Sequence, residues 1–169
     1  MVAAGTLIIG VISQIDTTRR GARTAERELE TRQAQFFLQI YDNFHQADFF
    51  DKFTDILTWK WAGYEDFMLR YGRDANPRAW YSEASVAAFF EGVGVLVHRK
   101  LIDPEIVGEL MSRHIVLFWE KMSPVSLEMR KRLQMPVDVW LENLYYVMKP
   151  IAEEQMKKAA SLQQHQAPG

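Results

Sequence analysis

The sequence predicts an all-α fold: a long N-terminal helix, with the option of membrane insertion, followed by a compact bundle of about five helices. Apolar residues recur at intervals of three and four, and no stretch alternates polar with apolar as a half-buried strand requires. Prolines at positions 77, 104, 124 and 136 fall at the starts of apolar-periodic stretches, where a residue without an amide proton costs a helix least.

The first helix is expected from about residue 4 to the mid-40s. The polar run TTRRGARTAERELETRQAQ has no proline to break it, and Leu29, Phe36, Ile40 and Phe44 trace one face. A second face follows at Phe49, Phe53, Ile56, Leu57, Trp61, Tyr64, Phe67, Met68 and Tyr71, with Asp48 in a capping position before it and Gly72 closing it. Beyond the loop GRDANP, a third helix starts near Pro77 or Ser82 and carries Trp80, Ala87, Phe90, Val93 and Val97. Asp103-Pro104-Glu105 opens the fourth, placing an acceptor, a fixed φ and a negative charge at the unpaired amides; Ile106, Leu110, His114, Leu117 and Phe118 form its face. Ser123-Pro124 reads as the start of a short fifth helix. Met135-Pro136 opens a sixth with Val137, Trp140, Leu141, Leu144, Met148 and Ile151, which Pro150 is expected to kink or restart. The chain divides into an apolar N-terminal segment (1–18), one helical domain (19–158) and a flexible polar tail (159–169).

Composition narrows the function classes. A chain of 169 residues that is 48% hydrophobic and 12% aromatic buries an ordinary single-domain core. Its net charge of −2, with basic residues interleaved among acidic ones, argues against nucleic acid as a partner. The absence of cysteine removes disulfides, thiolate metal sites and cysteine nucleophiles.

The first fifteen residues hold no charged side chain, and Leu7, Ile8, Ile9, Val11, Ile12 and Ile15 make them strongly apolar. As a helix this segment spans roughly 21 Å against roughly 30 Å of hydrocarbon. It lacks the basic start and small-residue cleavage site of a signal peptide. Arg19, Arg20, Arg23 and Arg27 stand immediately behind it, which by the positive-inside rule favours an anchor with the helical domain on the cytoplasmic side. The competing reading packs the segment on another helix of this protein or of a partner.

No residue pattern names a reaction. Di-iron bundles need Glu-x-x-His pairs, and none occurs; Asp42-x-x-His45, followed by Asp48 and Asp51, is the nearest spacing and reads as a solvated acidic face. Glu91, following Phe89-Phe90 in the most apolar internal run, requires a partner if buried. Arg130 or Arg113 can supply a guanidinium and Trp119 a further donor, while His114 reads as a core histidine. A structural ion pair is the favoured reading of Glu91, and a general acid with a raised pKa is the alternative. Gly92 and Gly94 lie inside an apolar helix and suggest close helix approach. No catalytic residue, metal ligand or cofactor is assigned.

Several features carry a resemblance: Glu91-x-x-Gly94-x-Leu96-Val97, Leu101-Ile102-Asp103, Trp119-Glu120 ahead of a proline, Arg130, and Trp140-Leu141-Glu142 with Leu144. From about Trp80 to Met148 the chain resembles an uncharacterised domain-of-unknown-function family of small, mostly helical prokaryotic proteins, many with an N-terminal membrane segment and basic flank. The resemblance implies an address at a prokaryotic inner membrane and no activity. Together these readings lead to the expectation of a non-catalytic membrane-associated interaction protein. Such a protein would be an accessory subunit or scaffold of a membrane complex, touching the bilayer through its first helix, with a homo-oligomer also open. A small enzyme or ligand sensor built on Glu91, Arg130 and His114 is the alternative. Tyr41, Trp59, Tyr81, Tyr145 and Tyr146 fall off the apolar stripes and are candidates for an interface.

Overall fold

The computed structural model describes residue 24 and residues 27–166, with side chains to residue 162. Among these residues there are six helices and no strand. Helix α1 runs over residues 27–44; α2 is Ala47–Thr58, α3 Tyr64–Tyr71, α4 Pro77–His98, α5 Pro104–Leu133 and α6 Val139–Gln166. The apolar residues from Leu7 to Ile15, and Arg19, Arg20 and Arg23, lie outside the described residues. Arg27 is exposed in the first turn described.

Local signals place several helix ends. Asn76 accepts the Ala79 amide (3.1 Å) and Asp103 the Glu105 amide (2.8 Å), so α4 and α5 begin with a side-chain cap followed by proline. Asp48 does not cap α2: Gln46 occupies that position without a side-chain bond, and Asp48 pairs instead with Lys52.

Two long helices depart from expectation in opposite directions. The continuous face from Phe49 to Tyr71 is cut at Trp59–Gly63, where Gly63 takes φ +156°. The chain folds back there so that Trp59 stacks on Tyr71 (4.2 Å between centroids, 4° between planes), Lys121 donates to the Trp59 carbonyl, and Asp66 receives the Ala62 amide. Conversely, no helix begins at Ser123-Pro124, because α5 runs through Pro124. The hydrogen bond lost is that of the Glu120 carbonyl; Glu120 and Pro124 are both exposed, so water can replace it, while Val125 and Ser126 stay packed inside. Helix α6 likewise continues through the exposed Pro150, starts at Val139 rather than at Pro136, and runs to Gln166 into the expected tail.

Helix α6 packs most extensively, against α5 and against α4, and α2 lies across α4 and α5. Their shared core includes Phe90, Ile115, Phe118, Leu141, Leu144 and Met148, each large side chain contributing about 1.5–3 kcal/mol by leaving water. Two faces are turned in part from their predicted phase. On α1, Phe44 is buried and Ile40 half-buried as predicted, with Phe37 buried beside them, while Leu29 and Phe36 are exposed; on α5, Phe118 is buried and Ile106 and His114 half-buried as predicted, with Val107, Met111 and Ile115 also inward, while Leu110 and Leu117 face out. Every residue of the predicted Phe49–Tyr71 face is buried or half-buried.

Gln33 donates to the Lys100 carbonyl, just past the end of α4, whereas Phe44 meets Phe89 and Phe90 within it. Helix α1 therefore runs antiparallel to α4, and residues 27–32 extend beyond the α4–α5 connection, all of them exposed. No helix among the described residues is long and apolar enough to cross a membrane.

Candidate functional site

The densest polar arrangement surrounds the start of α6. The connection from α5 is forced into shape by two left-handed residues, Gln134 (φ 50°) and Asp138 (φ 51°). A helix leaves its first amides unpaired, and here a side chain from another helix takes one of them: Glu91 of α4 accepts the Leu141 amide at 2.7 Å. Arg130 of α5 holds the other side. Its Nε donates to the Val137 carbonyl (2.5 Å), one terminal nitrogen to the Asp138 carbonyl (3.0 Å) and the other to the Glu142 carboxylate, while the guanidinium lies 5.8 Å from the Trp119 ring centroid. Below the connection, the Ser126 hydroxyl donates to Asp138 Oδ2 at 2.6 Å.

The expected Glu91–Arg130 ion pair is thus replaced by two separate attachments to α6, with Glu142 as the partner of Arg130. Trp119 lies near the guanidinium instead of donating to Glu91. Gly94 permits the approach that brings Glu91 to α6, since a Cβ there would stand 2.3 Å from the Trp140 carbonyl oxygen; Gly92 faces open space. His98, the last residue of α4, packs on Trp140 at 4.2 Å between centroids.

Two carboxyl groups here were not singled out in the sequence. Burial, and then the charge of Asp138, push Glu83 up to about 8. Asp138 is also raised, by burial first; the Ser126 bond and Arg130 oppose the rise and Glu91 adds to it. Glu83 makes no hydrogen bond or ion pair among the described residues. The available signal was its position four residues before the small Ala87, itself four before Glu91, on one ridge of α4.

His114 belongs to a different place. It stands sixteen residues before Arg130 on α5, about 24 Å along the axis. Its ring is set among Phe44, Phe53 and Phe50 (5.0, 5.5 and 6.2 Å) with His45 at 6.5 Å. Its Nδ1 is buried without a hydrogen-bond partner, and burial, then His45 and Arg113, lower its pKa. The structure therefore brings Glu91, Arg130 and Trp119 to the α4–α6 junction and leaves His114 at the corner of α1, α2 and α5.

Two surface clefts lie apart from this junction. One of about 390 Å³ between α2 and the start of α4 is lined by Asp48, Asp51, Asp55 and Arg78; another of about 420 Å³ between α5 and α6 is lined by Val116, Leu117, Ala152 and Met156 together with charged residues. Neither is lined by Glu91, Arg130, His114 or Trp119. No group of three or more acidic or histidine side chains among the described residues is placed to hold a metal ion. Of the off-stripe aromatics, Tyr81 and Tyr146 are exposed, Tyr41 is half-buried, and Trp59 and Tyr145 are buried.

A family model described as a domain of unknown function (DUF4760) matches residues 1–149. Comparison with curated proteins and with solved structures returns no match.

Proposed function

We propose that this chain, which belongs to the DUF4760 family of domains of unknown function, is a non-catalytic helical interaction domain tethered to a membrane by its first helix, serving as an accessory subunit or scaffold of a membrane protein complex. The observation that carries the reading is the geometry of α1. Its inner half, from Gln33 to Phe44, is fastened to the bundle, whereas residues 27–32 extend past the α4–α5 connection and are exposed. That end leads back to the apolar residues Leu7–Ile15 and the arginines behind them. A charged helical stretch between a bundle and an apolar segment keeps the bundle clear of the headgroups while the arginines favour the cytoplasmic side. The short apolar span is reconciled with a bilayer by packing against a partner's helices or by local thinning.

Polar chemistry in the domain supports a structural rather than catalytic role. Glu91 and Arg130 are both engaged in holding α6. The exposed Tyr81 and Tyr146 offer amphipathic contact area of the kind enriched at protein interfaces.

The test is fractionation of the full chain beside a variant beginning at Arg19. Sedimentation of the full chain with membranes through a high-salt wash, and release of the shortened one, is the expected result. Equal solubility of the two removes the anchor. From gently solubilised membranes, the full chain is expected to co-purify with a membrane protein at fixed stoichiometry, and a monodisperse homo-oligomer alone would argue against an accessory subunit.

A further inference from the structure

Helices α5 and α6 leave one outer face exposed among the described residues. The two run antiparallel, since Lys149 of α6 meets Glu120 of α5 (3.5 Å) while Gln155 bonds Ser112 and the Gly108 carbonyl. On that face lies the cleft of about 420 Å³, whose apolar lining is Val116, Leu117, Ala152, Met156 and Ala159. Leu117 and Met156 are exposed, and so is Leu110, seven residues before Leu117 on the same stripe of α5. The charges lining the cleft balance, with Arg113 and Glu120 on α5 and Lys149 and Glu153 on α6. They also alternate: along α5 the order is positive then negative, and along α6 in the same direction it is negative then positive. Arg113 and Glu153 are exposed and make no hydrogen bond or ion pair among the described residues.

We propose that this face binds a second copy of the chain about a two-fold axis parallel to the helices, so that α5 of each copy lies on α6 of the other and the four helices form one bundle. A neutral, alternating pattern is complementary to itself under that rotation: Arg113 of one copy comes to Glu153 of the other and Glu120 to Lys149, each contact occurring twice. A basic peptide or an anionic lipid surface would meet like charge at half of these positions, which a second copy avoids. The apolar lining supplies the dry centre that an interface needs. Size suffices as well. Helix α5, with 30 residues, is about 45 Å long, and two such helices side by side present on the order of 900 Å², against roughly 800 Å² per partner in a stable interface. A two-fold perpendicular to the helices would set Arg113 against Glu120 instead, but it sends the two α4–α5 connections, past which α1 projects, to opposite ends. The parallel axis keeps them at one end, so that both first helices lead to the same membrane. The choice of axis rests on the tether proposed above; the self-association does not.

Sedimentation of the full chain in mild detergent tests it, and the mass at micromolar concentration is expected to be that of two chains. Arg113→Glu and Glu153→Arg are each expected to weaken the dimer about tenfold or more, and their combination in one chain to restore it to within about threefold. A monomeric parent, or a dimer indifferent to all three changes, overturns the proposal. Because the chain holds no cysteine, introduced ones report the contact without background. Full-length Arg113→Cys and Glu153→Cys, mixed and oxidised, are expected to give a disulfide-linked dimer that neither gives alone, and this decides the matter should a reversed variant not fold. Linkage of Arg113→Cys to Glu120→Cys in its place, or linkage no greater in the mixture than in each variant alone, overturns the proposal. None of these outcomes alters the fractionation of the full chain beside the variant beginning at Arg19, which reads the anchor by itself.

Discussion

Arg130 illustrates how a single side chain can close a turn. A guanidinium offers several N–H groups in a rigid plane, and here they reach two successive carbonyls and a carboxylate on the far side of the connection. Lysine could match the charge but not the fork. Arg130→Ala is expected to destabilise the domain by about 2 kcal/mol, since it strands two carbonyls and Glu142 at sites that are roughly four-fifths buried. Arg130→Lys should recover less than half of that loss, as urea denaturation would measure. The need of Glu91 for a partner was legible in its apolar surroundings. Its actual partner, a backbone amide fifty residues away, was not, because the choice between Arg130 and the α6 terminus depends on where α6 is docked.

At the level of elements, phase was harder to read than identity. Helix α1 carries the run Phe36-Phe37-Leu38, and α5 carries the adjacent apolar pairs Ile106-Val107 and Leu117-Phe118; in each, two neighbouring stripes are about equally apolar. Rotating a helix by one residue, about 100°, exchanges them. The partner helix makes the choice: α1 turns Phe37 and Phe44 inward, and α5 turns Met111 and Ile115. Phe37→Ala is accordingly expected to cost about 3–5 kcal/mol and Phe36→Ala less than about 1, compared by thermal or urea denaturation. An inverse result would return α1 to the stripe through Leu29 and Phe36. Between Phe49 and Tyr71 no such ambiguity exists, and every residue of that stripe packs, even though the helix is interrupted inside it. Pro124 misled for the complementary reason: proline signals a helix start when its neighbours can leave the helix, and here Val125 and Ser126 are held in the core.

For the whole molecule, shifted titrations bend the pH dependence of stability in opposite directions, Glu83 and Asp138 one way and His114 the other. Glu83 binds its proton more tightly folded than unfolded, so the stability it supplies is complete below its ordinary value of 4.5 and is lost as the pH rises toward about 8. His114 is lowered below its ordinary 6.5, so its contribution is complete above that value and is lost as the pH falls. The slopes of Glu83 and His114 oppose each other below 6.5. Unfolding free energy is therefore expected to fall by about 1–2 kcal/mol between pH 6.5 and 8, and Glu83→Gln should abolish that fall when urea curves are taken at each pH. At this scale the sequence by itself determined the all-helical class, the capped start of α5, the aromatic stripe of α2 and α3, and the family, because these rest on periodicity and on side chains acting within one turn of their own position. Only the tertiary structure decided the phases of α1 and α5, the fold-back at Trp59, the continuity of α5 through Pro124, and the convergence of Glu91, Arg130 and Asp138 on the start of α6. Each of those depends on which helix lies opposite, and burial and charge are shared between segments that the chain keeps far apart.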